Sequence, residues 1–300
     1  MMRHRLLVSC GALVVIICVG MTLLLVRSTS DQDQPRPEPG PVAAPPGPAP
    51  STGWPDASST GVPKGVSLKP SGSLTVSTPG AVVSGLDVSG CITIKASNVT
   101  IKNTRVRGQA TCGGSHLIHT GMGLTGILIE DVELDGMGVS SGSAVGNEGF
   151  RLNRVNIHNV GSDGVYVQDN VVIENSWIHG LVYESGDHND TIMTNGDARN
   201  IVIKHNRLEN SHGQTSVIAM FEDFGGIHDV LVENNLISGG GYSVYAGGNT
   251  SMSHSNIRFV NNTFTRQFFP KGGQHGPVTA LDSTITWTGN VWLDTGEAVR

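Results

Sequence analysis

The sequence predicts an all-β chain wound as a parallel β-helix of about nine rungs, on three observations. An eleven-residue phrase recurs nine times along the chain. Its apolar positions alternate and then change parity in every copy. Glycine supplies 40 of the 300 residues, well above the usual share of about 7%.

The phrase reads GAVVSGLDVSG from Gly80, NVTIKNTRVRG from Asn98, GILIEDVELDG from Gly126, GFRLNRVNIHN from Gly149 and NVVIENSWIHG from Asn170. It continues as NIVIKHNRLEN from Asn200, DVLVENNLISG from Asp229, NIRFVNNTFTR from Asn256 and TITWTGNVWLD from Thr284. From Asn98 onward the starts lie 21 to 30 residues apart. Position two is apolar (Val99, Ile127, Phe150, Val171), and so is position four (Ile101, Ile129, Leu152, Ile173). That alternation marks a strand with one buried face. The next conserved-type apolar position is nine (Val106, Leu134, Ile157, Ile178), which breaks parity and demands a bend between. Position seven is Asn206, Asn235, Asn262 and Asn290 in the last four phrases. Asn tolerates the left-handed conformation of a sharp bend, and amides stacked at one corner can form a hydrogen-bonded ladder.

A further short strand precedes most phrases, at 164–167, 191–193, 216–219, 242–245 and 277–280. Each repeat then supplies about three strands, none able to bury its apolar face alone, whereas stacked repeats share one continuous core. The spacing is too short for propeller blades, and a leucine-rich array would show helices and a Leu consensus. The high glycine content also disfavours helical bundles and coiled coils.

Charge narrows the partners. The net charge is −6, and three of the 19 basic residues (Arg3, Arg5, Arg27) precede residue 28, where no acid occurs. The remainder is more acidic still, which excludes nucleic acid as an expected partner. Residues 1–27 hold a nearly unbroken apolar run at 6–26 behind Arg3 and Arg5. A run of about 20 spans a bilayer, so length favours a signal anchor with a cytoplasmic amino terminus over a cleaved signal peptide. Residues 28–53 are Pro-rich, an extended spacer, and 54–300 form the β-helix domain, expected to act as a monomer at the cell surface or outside the cell. Cys10 and Cys18 fall in the apolar run. Cys91 and Cys112 lie in the exported domain about one rung apart, a spacing that suits a disulfide.

The repeat, with the opening WPDASSTGVP at 54–63, resembles the right-handed, single-stranded parallel β-helix proteins of the pectate-lyase-like superfamily, in their secreted actinobacterial form. The resemblance spans about 54–300 and implies fold. It does not select a reaction, because lyases, hydrolases, epimerases and non-catalytic surface proteins share that fold.

Chemistry on a β-helix requires side chains that recur at one corner of adjacent rungs. Position ten reads Arg107, Asp135, His158, His179, Glu209, Ser238 and Thr265, outward by parity. Next come the loops Gly161-Ser162-Asp163-Gly164, Asp187-His188-Asn189-Asp190 and Ser211-His212-Gly213. Asp163 and Asp190 are expected to stack, with His188 and His212 beside them, as the catalytic set. Two carboxyls can serve as acid and base in glycoside hydrolysis. Alternatively Asp163, Asp187 and Asp190 hold a hard cation such as Ca²⁺ against a uronate, and a nearby base starts elimination. His158, His179, Tyr166, Tyr183, Tyr242, Tyr245, Lys271 and His275 are the expected substrate contacts. Lys102 opposite Glu130, and Lys204 between Glu174 and Glu233, form a solvated charge ladder with a structural role. The expected function is action on a polysaccharide, as lyase or hydrolase of an acidic glycan. A non-catalytic carbohydrate-binding or cell-envelope surface module is the alternative. The order of motifs is loosely similar to polygalacturonase-type hydrolases, but their Asn-Thr-Asp and Arg-Ile-Lys are missing and the paired Asp residues are split.

Overall fold

A computed structural model describes residues 53–108, 116–138, 142–184, 186–247 and 252–300. The apolar run at 6–26, the Pro-rich spacer up to residue 52 and Cys112, the expected partner of Cys91, lie outside the described residues. Within them the chain is a parallel β-solenoid without helix. Seventeen strands make one sheet and nine make the other. Each phrase enters the larger sheet and each short strand of 164–279 enters the nine-stranded one.

Register follows the repeat. Ile101 pairs with Ile129, which pairs with Leu152, then Ile173, Ile203, Val232 and Phe259. Their side chains are fully buried, one above another, as are Val106, Leu134, Ile157, Ile178 and Leu208 at position nine. In the nine-stranded sheet Ile118, Val145, Val165, Ile192, Ile218 and Val244 form the matching inner row. These stacked apolar rows are the core, and removing them from water supplies the main driving force.

The left-handed bend falls one residue earlier than the sequence suggests. Position six, not seven, has positive φ throughout: Asn103 at 47°, Asp131 at 54°, Arg154 at 55°, Asn175 at 52°, His205 at 51°, Asn234 at 51° and Asn261 at 56°. Position one repeats the conformation at Asn98, Asn170, Asn200 and Asn256. Arg154 and His205 are unusual occupants, since a side chain other than Gly, Asn or Asp disfavours this region by about 1 kcal/mol or more. Arg154 is held there by Asp131 at 2.7 and 2.8 Å and by Glu130 at 2.9 Å. His205 meets Asn175 at 2.8 Å and carries Trp54 stacked at 5.9 Å. The opening segment 54–64 lies over this column, and Gly61 N–H donates to the Arg154 carbonyl at 2.9 Å.

The position-seven asparagines form the expected ladder inside the corner. Asn206 donates its N–H and Nδ2 to Asn235 Oδ1 at 2.9 and 3.0 Å, and Asn235 treats Asn262 likewise. Asn262 repeats the pattern on Asn290. Each Nδ2 also donates to a carbonyl at the end of the preceding coil's strand, such as Ile203 O from Asn235 at 2.9 Å. All four amides are buried. The Lys204–Glu174 pair at 3.2 Å and the Lys204–Glu233 register form the charge ladder, but Glu174 is buried under its partners and not solvated as expected.

Asn235→Ala is expected to lower unfolding free energy by about 2–4 kcal/mol, because two buried donors of Asn206 lose their acceptor. Denaturant titration measures it; a loss comparable with that of an exposed Asn→Ala change would mean the ladder contributes little.

Candidate functional site

The nine-stranded sheet and the corner that feeds it hold most of the candidate chemistry. Register extends backwards from the inner row, so Ser143, Asp163, Asp190, Ser216 and Tyr242 occupy equivalent positions on successive coils. Asp163 and Asp190 therefore stack, as the sequence suggests. The Asp190 N–H donates to Asp163 Oδ1 at 3.0 Å, and Ser143 Oγ donates to Asp163 Oδ2 at 3.4 Å. Ser216 donates its N–H and its hydroxyl to Asp190 Oδ1 at 2.6 and 2.5 Å. Asp190 is only 1% exposed, whereas Asp163 keeps partial access to solvent.

Burial sets the electrostatics of the pair. Desolvation pushes the Asp163 carboxyl up to about 6, against the Asp190 N–H, the Ser143 hydroxyl and the His188 charge, which favour ionisation. Desolvation pushes Asp190 up to about 7; the Ser216 hydroxyl opposes it and the Asp163 charge adds to it. Near neutral pH two carboxylates this close resist double ionisation.

Around the pair stand some, not all, of the expected partners. His188 is exposed and close enough for its charge to act on Asp163. Tyr166, half-buried, feels the Asp163 charge and bonds to Asn195; Tyr245 feels Asp190. Tyr242 meets Tyr245 edge-on at 5.7 Å and His275 at 5.6 Å. Lys271 is exposed on the tight hairpin that carries His275.

Other candidates go elsewhere. The Asp187 carboxylate accepts the Glu184 N–H at 2.8 Å and caps its own turn. Asp163, Asp187 and Asp190 thus do not converge, and among the described residues no cluster of three His, Cys, Asp or Glu could hold a metal ion. His212 bonds the Leu181 carbonyl at 2.7 Å and stacks on Tyr183 at 5.4 Å, which ties two loops together. His158 and His179 stack at 5.5 Å, but on the seventeen-stranded sheet, with Trp177 at 3.6 Å from His179. Burial pushes the His179 imidazole down to about 4. The outward parity of position ten ends at Glu209, Ser238 and Thr265, which are buried. Glu209 is covered as it accepts from Trp177 Nε1 at 2.9 Å and pairs with Arg207 at 2.8 Å; Phe268 lies over Gly239, beside Ser238.

Ser143 and Ser216 were visible only by aligning the short strands, each standing two residues before the inward Val145 or Ile218. His116 and His119 carried no periodic signal. His116 lies flat over Gly146, where an added Cβ would come within 2.1 Å of Nε2. It stacks on His119 at 5.6 Å and on Tyr166 at 6.5 Å, each with planes 9° apart. Burial pushes the His116 imidazole down to about 4, so it stays neutral near pH 7. The chain matches no protein-family model, no curated protein and no solved structure.

Relative to the ordinary Asp value of 3.8, both carboxyls bind protons more tightly when folded. Between about pH 4 and 7 the folded chain then holds more protons than the unfolded one, so this pair's contribution to stability falls as pH rises through that window and levels off above it. Asp190→Asn keeps an oxygen for Ser216 and removes the charge. It is expected to flatten the decline and to gain on the order of 1–2 kcal/mol at pH 8. Thermal melts from pH 4 to 8 check this; a variant less stable than the parent at pH 8 would contradict the shared burden of charge.

Proposed function

We propose that this chain is an exported protein that binds a polysaccharide along the nine-stranded sheet and hydrolyses it at Asp163. The observation that carries this reading is a partly exposed carboxyl of near-neutral pKa beside a row of stacked rings, His119, His116 and Tyr166. Glycosidic cleavage needs a proton delivered to the leaving oxygen, and a carboxyl raised to about 6 retains one under mildly acidic conditions. Asp190 acts as a positioning residue: its N–H orients Asp163, and its carboxyl, raised by burial and by the Asp163 charge, is bonded to Ser216. His188 is the exposed group available to activate water. The aromatic faces hold sugar rings, and Tyr242, Tyr245 and His275 extend that surface toward the carboxyl terminus. Hydrolysis is favoured over cation-assisted elimination because Asp187 is turned into its own loop.

The reading also takes the solenoid as right-handed and single-stranded, akin to the pectate-lyase-like superfamily. It takes 6–26 as an anchor or signal, with the spacer carrying the domain at the cell surface and Cys91 bonded to Cys112. A second reading, glycan binding without turnover, draws support from the 1% exposure of Asp190. That burial leaves one carboxyl of the pair within reach of a polymer, where hydrolysis ordinarily uses two.

The test is release of reducing ends from a panel of polysaccharides by the full chain. Asp163→Asn is expected to cut turnover about 100-fold or more, with retention on the glycan unchanged and the melting temperature not lowered. Tyr166→Ala is expected to weaken retention itself. Retention by the parent without any release would favour the binding module; neither retention nor release from any polymer would refute both.

A further inference from the structure

We infer that the glycan taken by the nine-stranded sheet is uncharged, not a polyuronate; this rests on the polysaccharide reading above. The inference comes from how the fold segregates charge. No strand of the nine-stranded sheet contains Asp, Glu, Lys or Arg. Its outward-facing register row runs Thr75, Thr93, His119, Gly146, Tyr166, Met193, Ala219, Tyr245 and Thr279, of which Gly146 and Ala219 are covered by neighbours. The seventeen-stranded sheet carries the cations instead: Lys102, Arg105, Arg107, Arg151, Lys204 and Arg207 all lie in its strands. Several are already paired, as Arg105 and Arg107 are on Asp87.

The borders of the uncharged sheet are acidic. Asp163 and Asp190 stand where its strands begin. Beyond its strand ends lie Glu148, Asp169, Asp197 and Asp223, of which Asp197 and Asp223 are exposed. Arg199 answers Asp169 alone, at 3.7 Å. Lys95 lies just past the strand Ile92–Ile94, and Lys271 is exposed on the hairpin paired through Gly273. The segments outside the described residues from 109 onward (109–115, 139–141, 185 and 248–251) contain no Lys or Arg in sequence. A polymer bearing one carboxylate per sugar is favoured by cations along its path; it would instead meet neutral rings flanked by like charge. Neutral hexose or pentose rings need only aromatic faces and hydroxyl partners, which Tyr166, Asn147, Asn195 and Thr279 supply. Such a sugar has no acidic proton beside a carboxylate, so its cleavage is hydrolytic and not eliminative.

The test compares polygalacturonate with the same polymer after its carboxylates are reduced to alcohols, so linkage and ring stereochemistry are held fixed. Neutral glucans, galactans, mannans and xylans run beside them, with the full chain as the ligand-binding protein. Retention on the reduced polymer, or on a neutral polymer, is expected to exceed that on the uronate by roughly tenfold or more, and to change little between low and high salt. Met193→Lys, which places a cation mid-row, is expected to shift retention toward the uronate and to make it salt-sensitive. Preference of the parent for the uronate, or an unsaturated product from it, overturns the inference while leaving the polysaccharide reading in place. Retention on no polymer of either kind overturns both.

Discussion

Everything in this molecule depends on backbone register between successive coils. Parallel strands pair residue for residue from Ile101 through Phe259, and a slip of one would turn every buried side chain outward. Two left-handed positions per coil, one and six of the phrase, hold that register by fixing where each coil bends, even where a strand such as Thr100–Arg107 runs through the bend. The buried amides from Asn206 to Asn290 add a second lock, since each side chain bonds both the next amide and a backbone carbonyl. The device is polar, yet it sits where water cannot compete, so a single missing member costs far more than a surface hydrogen bond.

The same register builds the acidic corner. Asp163 and Asp190 are neighbours only because their strands pair through Val165 and Ile192. Once stacked, burial raises the proton affinity of both carboxyls and the Asp163 charge adds to that of Asp190, and that burden is offset by the hydrogen bonds from Ser143, Ser216 and the Asp190 N–H. The corner thus holds two carboxyls whose burial, not their exposure, sets their proton affinity. His254, placed between buried Glu222 at 3.0 Å and Asp282 at 3.2 Å, shows the contrasting case of a charge cluster that simply ties three successive coils.

Much of the fold was legible because the repeat writes its burial pattern nine times. Val99, Ile101 and Val106 have counterparts in almost every copy, and the parity break between four and nine located the bend to within a residue. The error there is informative. Asn at position seven looked like the left-handed residue, but its amide is the buried partner, and position six bends whether it is Asn103, Arg154 or His205. Propensity named the right residue type and the wrong role. The stacking of Asp163 on Asp190 was legible from the short strands that follow them. The destination of His212 and Asp187 was not, because both sit in loops whose partners, Leu181 O and the Glu184 N–H, are backbone groups with no sequence signature. The aromatic stack on Gly146 was hidden for a similar reason: it depends on the absence of a side chain beneath His116.

Along the solenoid the corner at position seven changes its chemistry. Leu86, Thr104, Val132 and Val155 occupy it in the early coils, Ser176 marks the crossover, and the amides follow. The early coils are therefore held at that edge by water-driven association, which loses strength on cooling, and the late coils by dipoles that do not. At this one edge the late coils thus carry a directional lock that does not rest on the hydrophobic effect, while the apolar rows beneath it run through both ends alike.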